Sequence, residues 1–260
     1  MNTKRFFNNK ATIYDKFRPQ YAPEFYEYIS THLGIGNSHI FADVGSGTGL
    51  FCEYFIHSGS TVFAIEPNKD MRIFAQNKFK YFSNFHSMEG DDSNIKLNNN
   101  SVDVVTVAQA FHYFDVQNFR NECIRILKDS KSHVLIVWNR KIFNDLDKER
   151  RKIAEMYCPL YSEFNKITPH KDKEKLATEF FRNASFFNRV SFENNIMNTY
   201  DEFINRTLSA YYAPKEGEKH FENYKNALTK YFEKYSLNGL LTVPNETIAF
   251  IGSFSIAHVA

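Results

Sequence analysis

The sequence has few of the residues that build metal centres and disulfide frameworks. Its 260 residues include only three cysteines, Cys52, Cys123 and Cys158, which lie far apart and form no CxxC pair. An odd number of widely spaced cysteines argues against a disulfide scaffold and against a thiolate zinc site. We therefore expect no metal and a reducing, cytoplasmic location.

An excess of charge of one sign is missing as well. Lys and Arg number 32 against 30 Asp and Glu, which gives a formal net charge of +2, so composition offers no basic face for a nucleic-acid backbone. No apolar run approaches the roughly 20 residues that a membrane helix needs. The opening stretch MNTKRFFNNKATIYDK lacks the apolar core of a signal peptide. We expect neither a nucleic acid nor a membrane as a partner.

Aromatic residues, in contrast, are abundant at 17%. This excess is open to two interpretations, compositional drift of the coding sequence or an aromatic-lined pocket.

From about residue 39, short β-rich runs alternate with amphipathic segments, a pattern typical of βαβ units around a largely parallel sheet. The predicted strands are HIFADV, STVFAIEP, FSNFHSM, SVDVVTVAQAF and SHVLIVW. Predicted helices lie between them: TGLFCEYFIHSG stops at Gly59, the next begins after a cap at Asn68, and DVQNFRNECIRILKDS follows the fourth strand. The sequence thus predicts an α/β protein.

The alternation stops after the fifth strand. Residues 142–187 are charged and mostly helical in pattern, and the strand NRVSFENNIM follows them. Thr199 and Glu202 have capping-box spacing at the start of TYDEFINRTLSAYYAP, and EKHFENYKNALTKYFEKY repeats apolar residues along one helical face. ETIAFIGSFSIAHV predicts a last strand, interrupted by its glycine. We interpret residues 1–260 as one domain with a helical cap at about 142–187 and 200–235.

The stretch FADVGSGTGL places an acidic residue and a glycine loop directly behind the first strand. Asp43 is followed by Gly45, Gly47 and Gly49, whereas a GxGxxG dinucleotide fingerprint would need its third glycine at Leu50. A GxxxxGK[ST] phosphate loop is excluded, because no Lys or Arg follows until the helix after the second strand. The loop therefore predicts a turn where a ligand lies against bare backbone.

A second carboxylate, Glu66, stands at the end of the second predicted strand. A carboxylate at that place can accept hydrogen bonds from both hydroxyls of a ribose. The glycine loop and Glu66 together indicate a nucleoside-type cofactor.

Several motifs in a fixed order resemble the class I S-adenosylmethionine-dependent methyltransferases, in particular those related to trans-aconitate methyltransferase. They are NNKATIYDKFRPQYAPEF, the glycine loop, AIEPNKDM, GDDSNIKLNNNSVDVVTVAQAFHYFD, IVWN and FINRTLSAYYAP. The resemblance implies a Rossmann-like class I methyltransferase fold: a seven-stranded sheet flanked by helices, six strands parallel and the last antiparallel, with a helical cap. It also implies S-adenosylmethionine as the cofactor, lying across the carboxyl ends of the first strands.

The same resemblance implies which residues contact the cofactor. Asp43 and the loop backbone would hold the methionine end, Glu66 the ribose and Met71 one face of the adenine. Asp92 and Ser93 would line the adenine edge, although DDSNIK departs from the Ala-Glu and Leu-Pro pattern of relatives. The full implied set is Tyr14, Arg18, Asp43, Gly45, Ser46, Gly47, Gly49, Glu66, Pro67, Met71, Asp92, Ser93 and Gln109.

Tyr14 and Arg18 would fold over the cofactor, with Gln109 and His112 beside its methionine portion. For Arg18 the alternative is a surface charge before a proline. For His112 the alternative is a structural histidine at a strand end.

The resemblance further implies methyl transfer to a small-molecule acceptor through an oxygen, nitrogen or carbon atom, by a monomer or a dimer. His112 is the candidate general base where one is needed, because histidine titrates near neutral pH, and a carboxylate acceptor would need none. The candidate acceptor-side residues are His112, Tyr113, Trp138 and Tyr211, with core packing as the alternative for the aromatic ones. Nucleobase amines are disfavoured as acceptors, since AQAFHYF replaces the Asn/Asp-Pro-Pro-aromatic element of enzymes that methylate them.

Two other functions compete with this interpretation. A short-chain dehydrogenase would use Tyr211 and Lys215 at YxxxK spacing, but Pro214 breaks the helix that such a pair needs and the TGxxxGxG loop is absent. A non-catalytic cofactor-binding or regulatory protein on the same fold stays open, since a fold does not determine an activity.

Overall fold

The computed structural model describes residues 11, 12, 15, 18–162, 172–210 and 212–256. Helices α1 to α8 are Pro23–Leu33, Glu53–His57, Lys69–Lys78, Val116–Ile126, Asp145–Tyr157, Lys173–Phe180, Tyr200–Leu208 and Phe221–Tyr235. Strands β1 to β9 are Ile40–Val44, Thr61–Ile65, Phe85–Met88, Val104–Ala108, His133–Lys141, Phe186–Glu193, Ile196–Asn198, Leu241–Val243 and Asn245–Ser253. The five strands predicted before residue 140 are confirmed as β1 to β5.

Seven strands form the main sheet, in the order β3-β2-β1-β4-β5-β9-β6. Strand β1 pairs in parallel with β2 on one side and β4 on the other, and β3 and β5 extend the parallel arrangement outward. The strand order therefore reverses between β1 and β4. In open parallel sheets such a reversal opens a crevice at the carboxyl ends of the strands, where ligands bind.

Strand β9 runs antiparallel to β5. The Ile142 amide donates to the Pro244 carbonyl at 3.1 Å, and farther back along β5 Asn139 accepts through Oδ1 from the hydroxyl of Thr247 at 2.7 Å. The partners of Ile142 and Asn139 are Pro244 and Thr247, so the residue numbers fall along β5 while they rise along β9. The two strands therefore run in opposite directions.

Strand β6 pairs with the other edge of β9, again antiparallel. The Ser185 amide donates to the Ser253 carbonyl at one end, and the Asn194 amide donates to the Asn245 carbonyl at the other, both at 2.8 Å. The sheet thus has six strands in one direction and β9 in the other, as the resemblance implies.

The interior strands are buried on both faces, as is typical of a parallel sheet covered by helices. Val104 and Val105 are neighbours on β4 and have no exposed surface, yet they belong to core clusters on opposite faces of the sheet. The two-faced core explains why β4 reads as a continuous apolar run.

The predicted interruption of the last strand at Gly252 is wrong, because β9 continues through this residue. A Cβ atom at Gly252 would lie 2.4 Å from a ring carbon of Phe181 and 2.9 Å from the carbonyl oxygen of Phe186. The glycine allows a close approach of neighbouring chain segments rather than a break.

The chain divides into two compact units, the first made of residues 1–139, 172–192 and 247–260 and the second of residues 140–171 and 193–246. Helix α6 lies in the first unit, although its residues belong to the stretch interpreted as a cap. It packs there against α4, where the ring of Phe180 stacks on that of Phe119 at 5.5 Å.

The second unit contains α5, α7, α8 and the two-stranded antiparallel sheet of β7 and β8 around its own apolar cluster. Tyr224 and Leu228 of α8 are almost completely buried in it. The Tyr231 hydroxyl donates to the Leu146 carbonyl of α5 at 3.1 Å, and Lys234 pairs with Glu149 at 2.8 Å. These contacts fix α5 against α8.

Helix α7 of the second unit begins at the predicted capping box, in which the Thr199 side chain accepts from the Glu202 amide and Glu202 accepts from the Thr199 amide. The helix ends at Leu208, earlier than the proline at which the sequence pattern ends. None of the helices in the described part of the chain combines the length and the apolar character needed to cross a bilayer.

Candidate functional site

A cavity of about 270 Å³ lies in the first unit, where the glycine loop after β1, the end of β2 and the end of β4 converge. It is therefore in the crevice that the strand order creates. Of the residues expected from the sequence, the cavity wall contains Gly45, Gly47, Glu66, Pro67, Met71, Asp92, Gln109 and Tyr113.

The three glycines of the loop all have positive φ angles, of 71°, 58° and 80°, but they differ in what surrounds them. A Cβ atom at Gly45 would lie 2.7 Å from the Cβ of Ala110, and one at Gly49 would lie 2.5 Å from the ring of Phe79. A Cβ atom at Gly47 would meet nothing within 4 Å. Gly45 and Gly49 are therefore needed for protein packing, whereas Gly47 leaves free space beside the cavity.

Glu66 joins the glycine loop to helix α3. Its Oε2 accepts from the Gly47 amide at 2.9 Å and its Oε1 accepts from the Asn68 amide at 2.8 Å. Asn68 in turn caps α3 by accepting from the Met71 amide at 3.1 Å. With 8% of its surface exposed, Glu66 is held as a fixed carboxylate in the cavity wall.

The cavity is acidic. Glu66, Asp91 and Asp92 contribute carboxylates to its wall, and no Lys, Arg or His is among the described residues that line it. Burial raises the pKa of Asp92, and a hydrogen bond from the Asp115 amide at 2.8 Å opposes this shift. Such a wall favours a ligand that carries positive charge and disfavours one that carries phosphate groups.

Asp43 lies behind the loop and does not line the cavity, so its expected contact with the methionine end of a cofactor stays a prediction. Its position on β1 opposite Thr106 of β4 buries it completely, and Oδ1 accepts from the Thr106 hydroxyl at 2.7 Å. Within the described part of the chain Oδ2 is buried without a hydrogen-bond partner. Burial raises the pKa of Asp43 to about 7, against the opposing effect of the Thr106 hydrogen bond.

Gln109 lines the cavity in a left-handed backbone conformation, with φ of 62°. Its amide donates to the Val137 carbonyl at 2.9 Å and its Nε2 donates to the Asn139 carbonyl at 3.2 Å. Non-glycine residues in this conformation store strain and are concentrated at ligand sites. Gln109 is thus pinned to the end of β5 at the edge of the cavity.

Other expected cofactor residues lie elsewhere. Arg18 is exposed and not part of the wall, and its charge lowers the pKa of Lys173 after the larger effect of desolvation. The Ser46 amide donates to the Ile65 carbonyl at 3.2 Å, and the Ser93 hydroxyl donates to Asp91 at 3.0 Å, but neither serine lines the cavity. Tyr14 and Tyr211 lie outside the described residues.

The expected acceptor-side residues separate into a surface pair and a core residue. Tyr113 lines the cavity, and the ring of His112 lies beside it with the centroids 4.0 Å apart. Trp138 is 2% exposed and packs edge-on against Phe111 and Phe250. This position on β5 favours the alternative of core packing for Trp138, and its contact with an acceptor stays a prediction.

Five further residues complete the wall, namely Asn68, Asp91, Ala108, Ala110 and Phe114. Sequence reasoning assigned Asn68 only a capping role. The two alanines flank Gln109 at the end of the predicted fourth strand, and this position next to the glycine loop was the signal that could have identified them.

Comparison with known proteins agrees with this geometry. Residues 42–135, which contain the glycine loop and the strands around the cavity, match the family described as a methyltransferase domain. This stretch of the chain is similar to methyltransferase domains. A protein of Dictyostelium discoideum named as a methyltransferase is 30% identical over 144 residues, which are 54% of this chain and 52% of that relative. A methyltransferase-like protein of Schizosaccharomyces pombe is 29% identical over 136 residues, 52% of each chain. The chain thus spans about half the length of these curated relatives.

Solved structures resemble the methyltransferase domain in fold. A structure named as a type II methyltransferase from Anaeromyxobacter dehalogenans matches 93% of this chain and all of that chain, with a TM-score of 0.62 and 17% identity. A Haemonchus contortus phosphoethanolamine N-methyltransferase, solved with phosphomonomethylethanolamine and S-adenosylhomocysteine, matches 98% of this chain and 61% of that chain, with a TM-score of 0.55 and 13% identity. These likenesses show the Rossmann-like methyltransferase fold.

Proposed function

We propose that the first cavity binds S-adenosylmethionine and that the protein transfers its methyl group to a small-molecule acceptor. The observation that carries the proposal is the acidic cavity with Glu66 fixed between the glycine loop and α3. S-adenosylmethionine bears a sulfonium, an ammonium and one carboxylate but no phosphate, so its net positive charge suits an acidic wall. The open space at Gly47 and the apolar side chains of Met71 and Phe114 suit an adenosine.

The proposal assigns a specific role to two residues of the cavity wall. Glu66 accepts from the ribose hydroxyls while its two backbone donors hold it in place, and Met71 packs on the adenine. The bound cofactor supplies an electrophilic methyl group. The protein then needs chiefly to align the acceptor and exclude water, and such approximation supplies roughly 7 to 11 kcal/mol in favourable cases.

A general base is required only when the acceptor is a hydroxyl, an acidic carbon or a protonated amine. His112 is our candidate, because it adjoins Tyr113 at the cavity and histidine exchanges protons near neutral pH. A carboxylate acceptor would leave His112 with a positioning role only.

Calorimetric titration with S-adenosylhomocysteine tests the binding step. We expect Gly47→Val to abolish binding, since the added side chain would fill the space beside the cavity. Gly34→Val is a matched control, because Gly34 also has a positive φ, 65°, and open space around it, but caps α1 away from the cavity. Equal affinities of the two variants would refute the proposed site.

Methyl transfer is tested with cofactor labelled in its methyl group and a metabolite library, followed by mass spectrometry of the products. A labelled product formed by the wild type and lost in Gly47→Val supports an enzyme. Tight cofactor binding without any labelled product would instead support a non-catalytic binding protein.

A further inference from the structure

A second cavity, of about 210 Å³, lies entirely within the second unit. It is lined by residues from the end of β5, from helices α5, α7 and α8, and from the two-stranded sheet of β7 and β8. The proposed methyl transfer assigns no role to this cavity.

The charge of the second cavity is opposite to that of the first. Lys141, Arg150 and Arg206 line it together with one carboxylate, Asp147, so three positive charges and one negative charge leave a formal excess of two positive charges. The imbalance favours an anionic ligand.

Asp147 is already engaged by arginines. Its Oδ1 accepts from Arg150 at 2.9 Å and its Oδ2 accepts from Arg151, a residue outside the cavity wall, at 2.7 Å. The carboxylate is nearly buried, and its two ion pairs with these arginines largely compensate its charge. Among the described residues that line the cavity, no second carboxylate is present to pair with Lys141 and Arg206.

Arg206 has an unmet hydrogen-bonding requirement. Its Nε is buried without a hydrogen-bond partner among the residues that the structure describes. The nearest acidic group on its helix, Glu202, is occupied as an acceptor by the amide and hydroxyl of Thr199. A buried donor without an acceptor is unfavourable, and an oxyanion in the cavity would supply the missing acceptor.

Lys141 shows the same excess of positive charge. Desolvation of its ammonium group lowers the pKa of Lys141 to about 8, and repulsion from Arg150 adds to the shift while Asp147 opposes it.

The rest of the wall is largely apolar or aromatic, including Leu146, Ile196, Phe203 and Tyr231. The Tyr231 hydroxyl donates its proton to the Leu146 carbonyl. The wall thus combines cationic groups with apolar and aromatic side chains.

We propose that this second cavity binds a small organic anion, with its carboxylate or phosphate group on Lys141, Arg150 and Arg206 and its hydrocarbon portion against the apolar wall. The site is distinct from the cofactor cavity, and the proposal stands independently of methyl transfer.

Calorimetric titration of the full chain with phenylacetate, phenyl phosphate and the neutral phenylacetamide tests the proposal. We expect both anions to bind at least ten-fold more tightly than the amide, and affinity to fall as salt is raised. The tighter of the two anions assigns the group as carboxylate or phosphate. Equal affinity for phenylacetate and phenylacetamide overturns the proposal. Failure of both anions to bind at about 10 mM, a concentration high enough to detect weak complexes, overturns it as well.

Variants locate the site. Arg206→Gln and Lys141→Gln should each weaken anion binding by about ten-fold, the change that corresponds to about 1.4 kcal/mol. Lys152→Gln makes the same change of charge at an exposed position of α5 and should leave the affinity unchanged. Gly47→Val should also leave it unchanged, since it alters only the cofactor cavity. Anion affinity that survives both Arg206→Gln and Lys141→Gln overturns the assignment.

Discussion

At the scale of single residues, Glu66 shows how a carboxylate can be both structural and available to a ligand. Its two oxygens each accept one backbone amide, from the loop and from the start of α3. A carboxylate oxygen can accept more than one hydrogen bond, so a ribose hydroxyl can share an oxygen of Glu66 with a backbone amide.

Replacing Glu66 by glutamine tests this dual role. Glu66→Gln puts an NH₂ group opposite a backbone donor and removes a charge-assisted hydrogen bond of about 1.5 to 3 kcal/mol. We expect the affinity for S-adenosylhomocysteine to fall by about 10- to 150-fold in calorimetric titrations. Glu89→Gln is the control, because Glu89 is 69% exposed and pairs with Arg72 outside the cavity wall.

An analogue that lacks both ribose hydroxyls separates the two roles of Glu66. The affinity difference between wild type and Glu66→Gln should shrink for this analogue. If the wild type bound it as tightly as S-adenosylhomocysteine, Glu66 would not be the ribose ligand.

Asp43 predicts a pH dependence of stability. Its pKa of about 7 in the folded protein exceeds the value of about 3.9 in an unfolded chain, so the folded state holds the proton more tightly and loses stability as pH rises between these values. Asp43→Asn keeps an acceptor for Thr106 and removes this loss. In urea unfolding, we expect the stability of the variant relative to wild type to increase by up to about 1.4 kcal/mol per pH unit from pH 5 to 7, and to level off above. A difference that does not change with pH contradicts this assignment.

The sequence could predict Glu66 because a strand end places a side chain at the edge of a sheet whatever the packing around it. The burial of individual side chains was harder to predict. Asp43 is also a carboxylate near the end of a strand, but its hydrogen bond with Thr106 holds it inside the sheet. Trp138 belongs to the core through contacts with residues distant in sequence. Such contacts leave no local pattern.

At the scale of elements, helix α7 carries Arg206 and Phe203 of the second cavity and depends on its capping box. Thr199→Ala removes the side-chain acceptor and should cost about 1 kcal/mol. Hydrogen exchange within Tyr200–Leu208 should then accelerate about five-fold, whereas Thr199→Ser should keep the wild-type rate. Unchanged exchange in the alanine variant would show that the packing of α7 outweighs its cap.

Periodicity and capping residues were sufficient to predict most elements before residue 140 and the start of α7. They were insufficient for α6, whose pattern is amphipathic and charged like that of the cap helices. Its membership of the first unit follows from Phe180 packing on Phe119 across more than sixty residues of sequence, a pairing that sequence alone does not reveal.

At the scale of the whole molecule, two units with separate apolar clusters predict separable stability. Leu228→Ala in the second cluster should cost about 2 to 5 kcal/mol and raise hydrogen exchange in residues 140–171 and 193–246. The affinity for S-adenosylhomocysteine should change by no more than about two-fold, which is much less than the ten-fold change that corresponds to about 1.4 kcal/mol. Leu237→Ala, the same change at a side chain 77% exposed, is the control. A large loss of cofactor affinity in Leu228→Ala would contradict independent units.

The interpretation of residues 142–187 and 200–235 as a substrate cap stays a prediction. It requires that hydrogen exchange in these segments slow when cofactor product and acceptor are both bound. Identical exchange with and without the two ligands would contradict a cap.

The position of β9 has a consequence for biosynthesis. Strand β6 is at the edge of the sheet and its neighbour there is β9, which is translated some fifty residues later. During translation the edges of β5 and β6 stay unpaired until residues 245–253 emerge from the ribosome. Unpaired strand edges of this kind favour intermolecular pairing. Closure of the sheet is therefore a late, non-local step, and nascent chains paused before β9 should be those that most require chaperones.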